Sequence, residues 1–327
     1  MGNNITNEEF IRQNVVIDEG DPFNNLLHNK TINKLKSAGI FKSVKSEVKD
    51  GSSVGLKVID IEVEEKPTGE ITAGAGYGSN GSTFIVGIKE NNFKGEGIQL
   101  DSNLQLTEET IKGKFSYTVP NFRYSERSLS TSLESSSIDK EKDYGFKSSL
   151  NKFAMGTSFE QYENIFFSPN FSLSHEELTT TANASANYKK QEGSYFDTLL
   201  NYSLSYNTLD SSYRPSSGIV STFVQELPIV SDGYNIINGY QVTGYKEVTN
   251  DSILAVGFYS RAINSLQSNQ DVRVSKRMFL PAGKLRGFEP GKIGPKDGAD
   301  FVGGNYLASF NTSVSLPFLF PNACSHI

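Results

Sequence analysis

Residues 200–207 read Leu-Asn-Tyr-Ser-Leu-Ser-Tyr-Asn, so Leu200, Tyr202, Leu204 and Tyr206 alternate with Asn201, Ser203, Ser205 and Asn207. A strict period of two puts one set of side chains on each face of an extended strand. The same alternation runs through Ile111, Phe115, Tyr117 and Val119 against Lys112, Lys114, Ser116 and Thr118. It recurs in Ile98, Leu100, Leu104 and Leu106 against Gln99, Asp101, Asn103 and Gln105. Tyr306, Ala308, Phe310, Val314 and Leu316 stand in the same way against Leu307, Ser309, Asn311, Ser313 and Ser315. About twelve such segments follow residue 70, beginning near 71, 82, 97, 111, 127, 144, 166, 198, 219, 234, 252 and 305.

Two architectures produce this pattern. In a soluble sandwich one face is a dry core and the other meets water; in a membrane barrel the apolar face meets lipid and the polar face lines the lumen. Periodicity alone leaves both open. The Ser, Asn, Thr and Lys of the polar faces, aromatics recurring near strand ends and a length large for one sandwich favour the barrel. The absence of Trp departs from the usual interfacial girdle of Trp and Tyr.

Residues 1–67 follow a different rule. Thr6-Asn7-Glu8-Glu9 fits a capping box, and Phe10 and Ile11 begin an apolar face that a turn at Gly20-Asp21-Pro22 ends. A second helix is expected from Leu26 to Ala38, with Leu27, Ile32 and Leu35 as its buried stripe and Gly39 beyond its end. Two strands are expected at 41–49 and 56–65, the second with Ile59, Ile61 and Val63 on one face and Asp60, Glu62 and Glu64 on the other. The expected order is helix, helix, strand, strand.

Several functions are disfavoured. A net charge of -6 offers no basic stripe for nucleic acid. The single Cys324 rules out an internal disulfide, and His28, His175 and His326 fall in no metal-binding spacing, so neither metal nor cofactor is expected. No apolar run reaches the ~18 residues of a membrane helix, and the polar, acidic start is no signal peptide. Gly76-Tyr77-Gly78-Ser79-Asn80-Gly81 matches a dinucleotide fingerprint, but a strand rather than a helix follows it, so a hairpin turn is expected. Gly287-Phe288-Glu289-Pro290-Gly291-Lys292 has the wrong spacing for a phosphate loop. His175 beside Glu176 and Glu177 reads as solvated side chains, and no nucleophile elbow is present, so no enzyme is expected.

Residues 285–305, LRGFEPGKIGPKDGADFVGGN, are glycine-rich around a single Arg286. With the GDPF turn, the strand VIDIEVEEKPTGE and the glycine-bearing ITAGAGYG, this stretch resembles the BamA family of outer-membrane protein assembly factors. Leu285-Arg286-Gly287-Phe288 is similar to the family's [VL]-R-G-[FY] motif, and Ile293-Gly294-Pro295 and Gly303-Gly304-Asn305 to the series that follows it. The resemblance implies a mostly β fold: a small α+β POTRA domain over 1–68, the last of its series and without its first strand, then an antiparallel transmembrane β-barrel over 70–327 with about 12 of 16 strands present. It implies a loop between the eleventh and twelfth strands that folds back into the lumen. Glycine would let that backbone approach the wall, and a buried arginine would need carboxylate partners. In the family those partners lie on later strands, whereas 305–317 contains no Asp or Glu. Both ends of the chain look cut, and a sheet of twelve strands is expected to be gapped or forced shut.

The implied function is folding and inserting β-barrel proteins into the Gram-negative outer membrane, with the POTRA domain in the periplasm. The implied partners are unfolded outer-membrane proteins, accessory lipoproteins engaged through an edge such as 56–65, and outer-membrane lipid. Gly74, Gly76 and Gly78 of the first strand either weaken a lateral seam or relieve crowding at the rim. The alternatives are a TamA-type assembly factor, a two-partner secretion pore, or a passive porin, the last of which would carry neither POTRA domain nor RGF loop.

Overall fold

The structure is a computed structural model, and it describes residues 2–315 except 18, 54, 79, 80, 183, 185, 212, 213, 250, 251, 286, 289, 290 and 299. Two helices open the chain, α1 (Glu8–Gln13) and α2 (Asn25–Ser37), followed by the hairpin β1 (Phe41–Asp50) and β2 (Lys57–Glu65). Eight further strands come next: β3 (Gly69–Gly78), β4 (Gly81–Phe93), β5 (Ile98–Thr107), β6 (Thr110–Val119), β7 (Ser128–Lys140), β8 (Phe146–Tyr162), β9 (Ile165–Thr180) and β10 (Gly193–Asn207). The chain continues through β11 (Gly218–Ser231), β12 (Asn235–Thr249), β13 (Ser252–Ser265), the short pair β14 (Lys296–Asp297) and β15 (Asp300–Phe301), and β16 (Tyr306–Ser315). Single helical turns α3 (Glu141–Tyr144) and α4 (Ala186–Lys189) interrupt the strands. Hydrogen bonding arranges twelve strands in the order β16-β13-β12-β11-β10-β9-β8-β7-β6-β5-β4-β3, an antiparallel meander. The expected starts coincide closely with these strands, apart from the one placed near 198, where β10 begins at Gly193. Residues 193–197 (GSYFD) break the apolar alternation there, so the pattern hid them.

The chain divides into two compact units with the main boundary between Glu134 and Ser135. In the first, α1, α2 and the β1–β2 hairpin enclose Phe10, Leu35, Ile40, Phe41, Val44 and Val63, with Leu35 fully buried. Leu27, expected in the stripe, is 37% exposed, and Thr31 takes the buried position instead. Thr31 suits that place because its hydroxyl donates to Leu27 O at 3.1 Å and accepts from Val16 N at 3.0 Å. Gly39 follows α2 at φ 71, the left-handed conformation that ends helices on glycine.

The capping box at Thr6 is not formed. Asn7 is the N-cap of α1 and makes no side-chain cap bond. Thr6 is drawn elsewhere: its amide donates to Glu65 Oε1 at 2.6 Å and its hydroxyl accepts from Asn92 Nδ2 at 2.9 Å. Glu65 also receives the amides of Asn4 and Ile5, which fixes residues 4–6 against the end of β2. The helical region is tied in turn to the β4–β5 turn. Asn7 N donates to Gly95 O at 2.8 Å, and Phe10 lies so close to Gly97 that a Cβ there would stand 2.0 Å from the ring. Gly97, at φ 67, is therefore required both by space and by conformation. A second attachment joins Lys34 to Glu126 at 2.5 Å and Asn121 Nδ2 to Gln13 O at 3.3 Å.

Across the strands, exposure inverts what a soluble sandwich requires. Phe84, Val86 and Ile88 on β4 and Leu104 and Leu106 on β5 are exposed in the first unit. In the second, Leu200, Leu204 and Tyr206 are 41%, 45% and 45% exposed, whereas Ser172, Ser174, Glu176 and Asp197 are buried. The register explains the sorting: Leu200 faces Phe171 and Leu204 faces Phe167, while Asn201 faces Asn170 and Asp197 faces Ser174. The polar face is bonded within itself through Asn201 Nδ2 to Ser172 Oγ at 2.9 Å, Ser158 with Ser168 at 2.7 Å and Ser205 with Thr222 at 3.0 Å.

Burial works against ionisation of Glu65, but hydrogen bonds from Thr6, Asn4 and Ile5 outweigh it and hold the carboxyl below the usual glutamate range. A depressed folded-state pKa contributes stability above the ordinary value of about 4.3 and loses it as pH falls through and below that value. Glu65→Gln is expected to lower exchange protection of the Ile5 and Thr6 amides about tenfold at neutral pH, the weight of charge-assisted hydrogen bonds. The wild type is expected to approach the same state below pH ~4. Hydrogen exchange referenced to intrinsic rates at each pH checks both.

Candidate functional site

Residues 266–305 connect β13 to β16, the eleventh and twelfth strands of the sheet by chain order. The segment is anchored near its start. Arg273 precedes a 3-10 turn at Val274–Lys276 and is 6% exposed. Its Nη2 donates to Asp197 Oδ2 at 2.7 Å, its Nε lies 3.4 Å from Glu176 Oε2, and its guanidinium sits 4.0 Å from the Tyr195 ring centroid. Lys276 Nζ reaches the same Asp197 oxygen at 3.1 Å. The strands set this geometry: Tyr195 pairs with Glu176 and Asp197 with Ser174, so the two carboxylates project from adjacent strands on the polar face.

Two cations and two carboxylates make the cluster neutral, which is what permits its burial. Ser231 Oγ donates to Asp197 Oδ1 at 2.5 Å and Ser148 Oγ to Glu176 Oε1 at 2.7 Å. Satisfaction is incomplete. Among the described residues Arg273 Nε and Nη1 and Glu176 Oε2 have no hydrogen-bond partner, so Arg273 and Glu176 are held at ion-pair distance without alignment. An apolar wall of Phe146, Leu178, Tyr188, Val274 and Val302 packs together beside the cluster. Excluding water there strengthens the charge interactions. Val274 N donates to Gln191 Oε1 at 2.6 Å and Tyr188 OH to Phe301 O at 3.0 Å, fastening the loop at both ends of the wall.

Arg286, expected to be the pinning charge, lies outside the described residues. Just before it, Lys284 Nζ sits 5.0 Å from the Tyr259 ring, on the polar face of β13. Leu285 is half-buried and Phe288 is exposed. Gly287 and Gly294 have φ 85 and 126, yet a Cβ at either would meet nothing within 4 Å; their need is conformational. Gly303 needs both, with φ 64 and a Cβ position 3.1 Å from Met278 O and from the Phe279 ring. The return of the loop is well tied. Pro295 O accepts from Val302 N at 3.0 Å, Met278 and Gly304 exchange two bonds of 2.9 Å, and Ile263 N donates to Asn305 O at 2.8 Å. Ile293 is 36% exposed and makes no part of that tie.

The reading of His175, Glu176 and Glu177 as solvated needs correction at Glu176, which is 5% exposed and part of the anchor. His175 is exposed and bonds Ser194 at 2.7 Å. Strand parity assigns Glu176 and Asp197 to the polar face, but it carries no sign that a distant loop covers them. Nothing in the spacing around Arg273 marks its distant carboxylate partners either. On β3, a Cβ at Gly74 or Gly76 meets nothing within 4 Å among the described residues; Gly78 ends the strand. Among the described residues no His, Cys, Asp and Glu group could hold a metal ion.

An antiparallel sheet with its apolar side chains outward and a loop anchored on its polar face is the construction of outer-membrane β-barrel proteins. Residues 92–325 match the Omp85 superfamily domain, and the chain belongs to that superfamily. It is 24% identical over 334 residues to the outer membrane protein assembly factor BamA of Neorickettsia risticii (strain Illinois), covering 98% of this chain and 44% of the relative. It is 21% identical to BamA of Neisseria meningitidis serogroup B, over 98% of this chain and 43% of that one. The chain thus spans less than half the length of these relatives. The crystal structure of BamA from Haemophilus ducreyi lacking POTRA domains 1-3 superposes with a TM-score of 0.81 at 21% identity, covering 98% of this chain and 66% of that one. CdiB from Acinetobacter baumannii gives 0.61 at 12% identity, over 97% and 59%.

Arg273→Ala is expected to destabilise the loop by about 3–5 kcal/mol, because it leaves Asp197 and Glu176 against Lys276 alone. Arg273→Ala with Asp197→Ala restores neutrality and is expected to cost less than the sum of the two single changes. Limited proteolysis at Lys276 and Arg277, with thermal unfolding, measures both.

Proposed function

We propose that this chain is part of an assembly factor that folds and inserts β-barrel proteins into a Gram-negative outer membrane. The observation that carries it is the edge strand β3, which bears Gly74, Gly76 and Gly78 and ends the order of the sheet. A strand weakened by uncrowded glycines is suited to part from its neighbour and pair with an incoming strand. The exposed Leu200, Leu204 and Phe310 then meet lipid, and the polar face lines the interior. The names of the relatives support the same activity.

In this reading residues 1–68 form a POTRA-type domain on the periplasmic side, and 70–327 belong to the barrel. Unfolded outer-membrane proteins and accessory lipoproteins add to a strand edge of the hairpin. Residues 4–6 donate to the Glu65 carboxylate and Gly2 stands against Val63 O, so the β2 side of the hairpin is partly covered, which favours the edge of β1. The chemistry is strand pairing, and it requires neither cofactor nor catalytic group. The loop after β13, anchored through Arg273, would keep the interior closed while the seam works.

Depleting the full-length protein in its source cell is expected to lower outer-membrane β-barrel proteins generally, read by quantitative proteomics of the membrane fraction. Loss of one secreted protein alone would overturn the assembly reading in favour of a dedicated transporter.

A further inference from the structure

A groove of about 380 Å³ opens on the apolar face of β11, β12, β13 and β16. Its floor is made of small side chains: Ser260 and Ala262 on β13, and Ala308, which pairs with Ser260 across β16. Tyr240 and Phe223, paired with each other on β12 and β11, form one wall. Tyr306, 69% exposed at the start of β16, closes the end nearest the 266–305 loop, its hydroxyl donating to Asn264. Beyond the floor the face continues with Phe258 and Phe310, which are paired and exposed.

A line of polar groups crosses this apolar face. Tyr202 OH donates to Gln225 Oε1 at 2.8 Å, and Gln225 Nε2 donates to Asn238 Oδ1 at 2.6 Å. These bonds fix the Asn238 amide with its oxygen toward Gln225. Its Nδ2 then has two donors at the groove and no partner among the described residues. Donors left unpaired on a lipid-facing surface are costly, so a partner from the surroundings is called for. The position is informative: Asn238 is near the start of β12 at Asn235, level with Tyr306, so the polar end lies by the strand ends and the apolar end runs inward. Tyrosines characteristically mark the depth where a bilayer changes from headgroup to hydrocarbon.

We propose that the groove binds one phospholipid of the surrounding bilayer. An acyl chain lies on the Ser260–Ala262–Ala308 floor between the aromatic walls, and its ester carbonyl accepts from Asn238 Nδ2. This rests on the membrane-spanning reading given above.

The test uses the 327-residue chain in vesicles of phosphatidylethanolamine and phosphatidylglycerol containing a photoreactive acyl chain, in ester-linked and ether-linked versions. The ether lipid lacks the carbonyl. Crosslinks are expected in the peptides holding Ser260–Ala262 and Tyr306–Phe310, with the ester lipid giving roughly three- to tenfold more, the factor of one hydrogen bond. Asn238→Leu is expected to remove the ester preference and keep labelling. Ala308→Phe is expected to remove labelling at the groove, with circular dichroism confirming the fold; Ala262→Leu supplies the same filling if that variant does not fold. Equal ester and ether labelling in the wild type, or labelling indifferent to both filling variants, would overturn the proposal. Labelling of Phe171 and Leu204 without the groove would sink the site and leave the membrane reading standing, whereas no labelling on the apolar face would sink both.

Discussion

The second unit is governed by one constraint: its apolar side chains point outward, so its polar side chains must satisfy one another. A water-soluble sheet solves its interior with methyl groups and leaves polar groups to water. Here Ser, Asn, Glu and Asp occupy the covered face, and each needs a partner. The cross-strand contacts Asn201–Ser172, Ser158–Ser168 and Ser205–Thr222 supply those partners from neighbouring strands. Glu226 and Arg261, 3.3 Å apart on β11 and β13, extend the pattern to charges. Where strand neighbours are not enough, at Glu176 and Asp197, the chain brings Arg273 and Lys276 from the loop after β13. The loop is thus held by the carboxylates that the sheet could not otherwise bury. Two Arg273 nitrogens and one Glu176 oxygen have no hydrogen-bond partner among the described residues, which makes that hold less than complete.

The first unit solves a different problem, fastening a small α+β layer to the first strands of the sheet. It does so mainly with backbone and amide groups. Asn92 is the central one, donating to Thr6 Oγ1 and accepting from Gly97 N, both at 2.9 Å. Asn91, its neighbour, donates through its amide to Thr68 O at 3.2 Å, just before β3 begins. The α+β layer, the link into β3 and the first hairpin of the sheet are therefore one hydrogen-bonded body.

The strands were legible because a period of two survives in single sequences wherever one face is apolar and the other polar, as at Leu200–Asn207. So was the order helix, helix, strand, strand, with Leu35 and Val63 in its core. What failed were local rules overridden by distant groups. Thr6 fits a capping box until Glu65 and Asn92 compete for its amide and hydroxyl. Glu176 looks solvated until Arg273, far along the chain, covers it. The glycines of 285–305 form one feature in the sequence, yet Gly303 answers to close packing and Gly287 only to its dihedral. Long-range pairing of a charge leaves no mark in local spacing, and the Arg273 anchor is such a pairing.

Which face of the strands meets lipid decides the membrane-spanning reading, and a cysteine scan along β10 tests that most directly. In a Cys324→Ser background, single cysteines at 200 to 206 are reconstituted in vesicles and probed with a water-soluble maleimide and a lipid-borne quencher of an attached fluorophore. Cysteines at positions 201, 203 and 205 are predicted to react with the maleimide, and fluorophores at 200, 202, 204 and 206 to be quenched from lipid. Uniform reactivity along the strand, or the opposite alternation, would contradict the account.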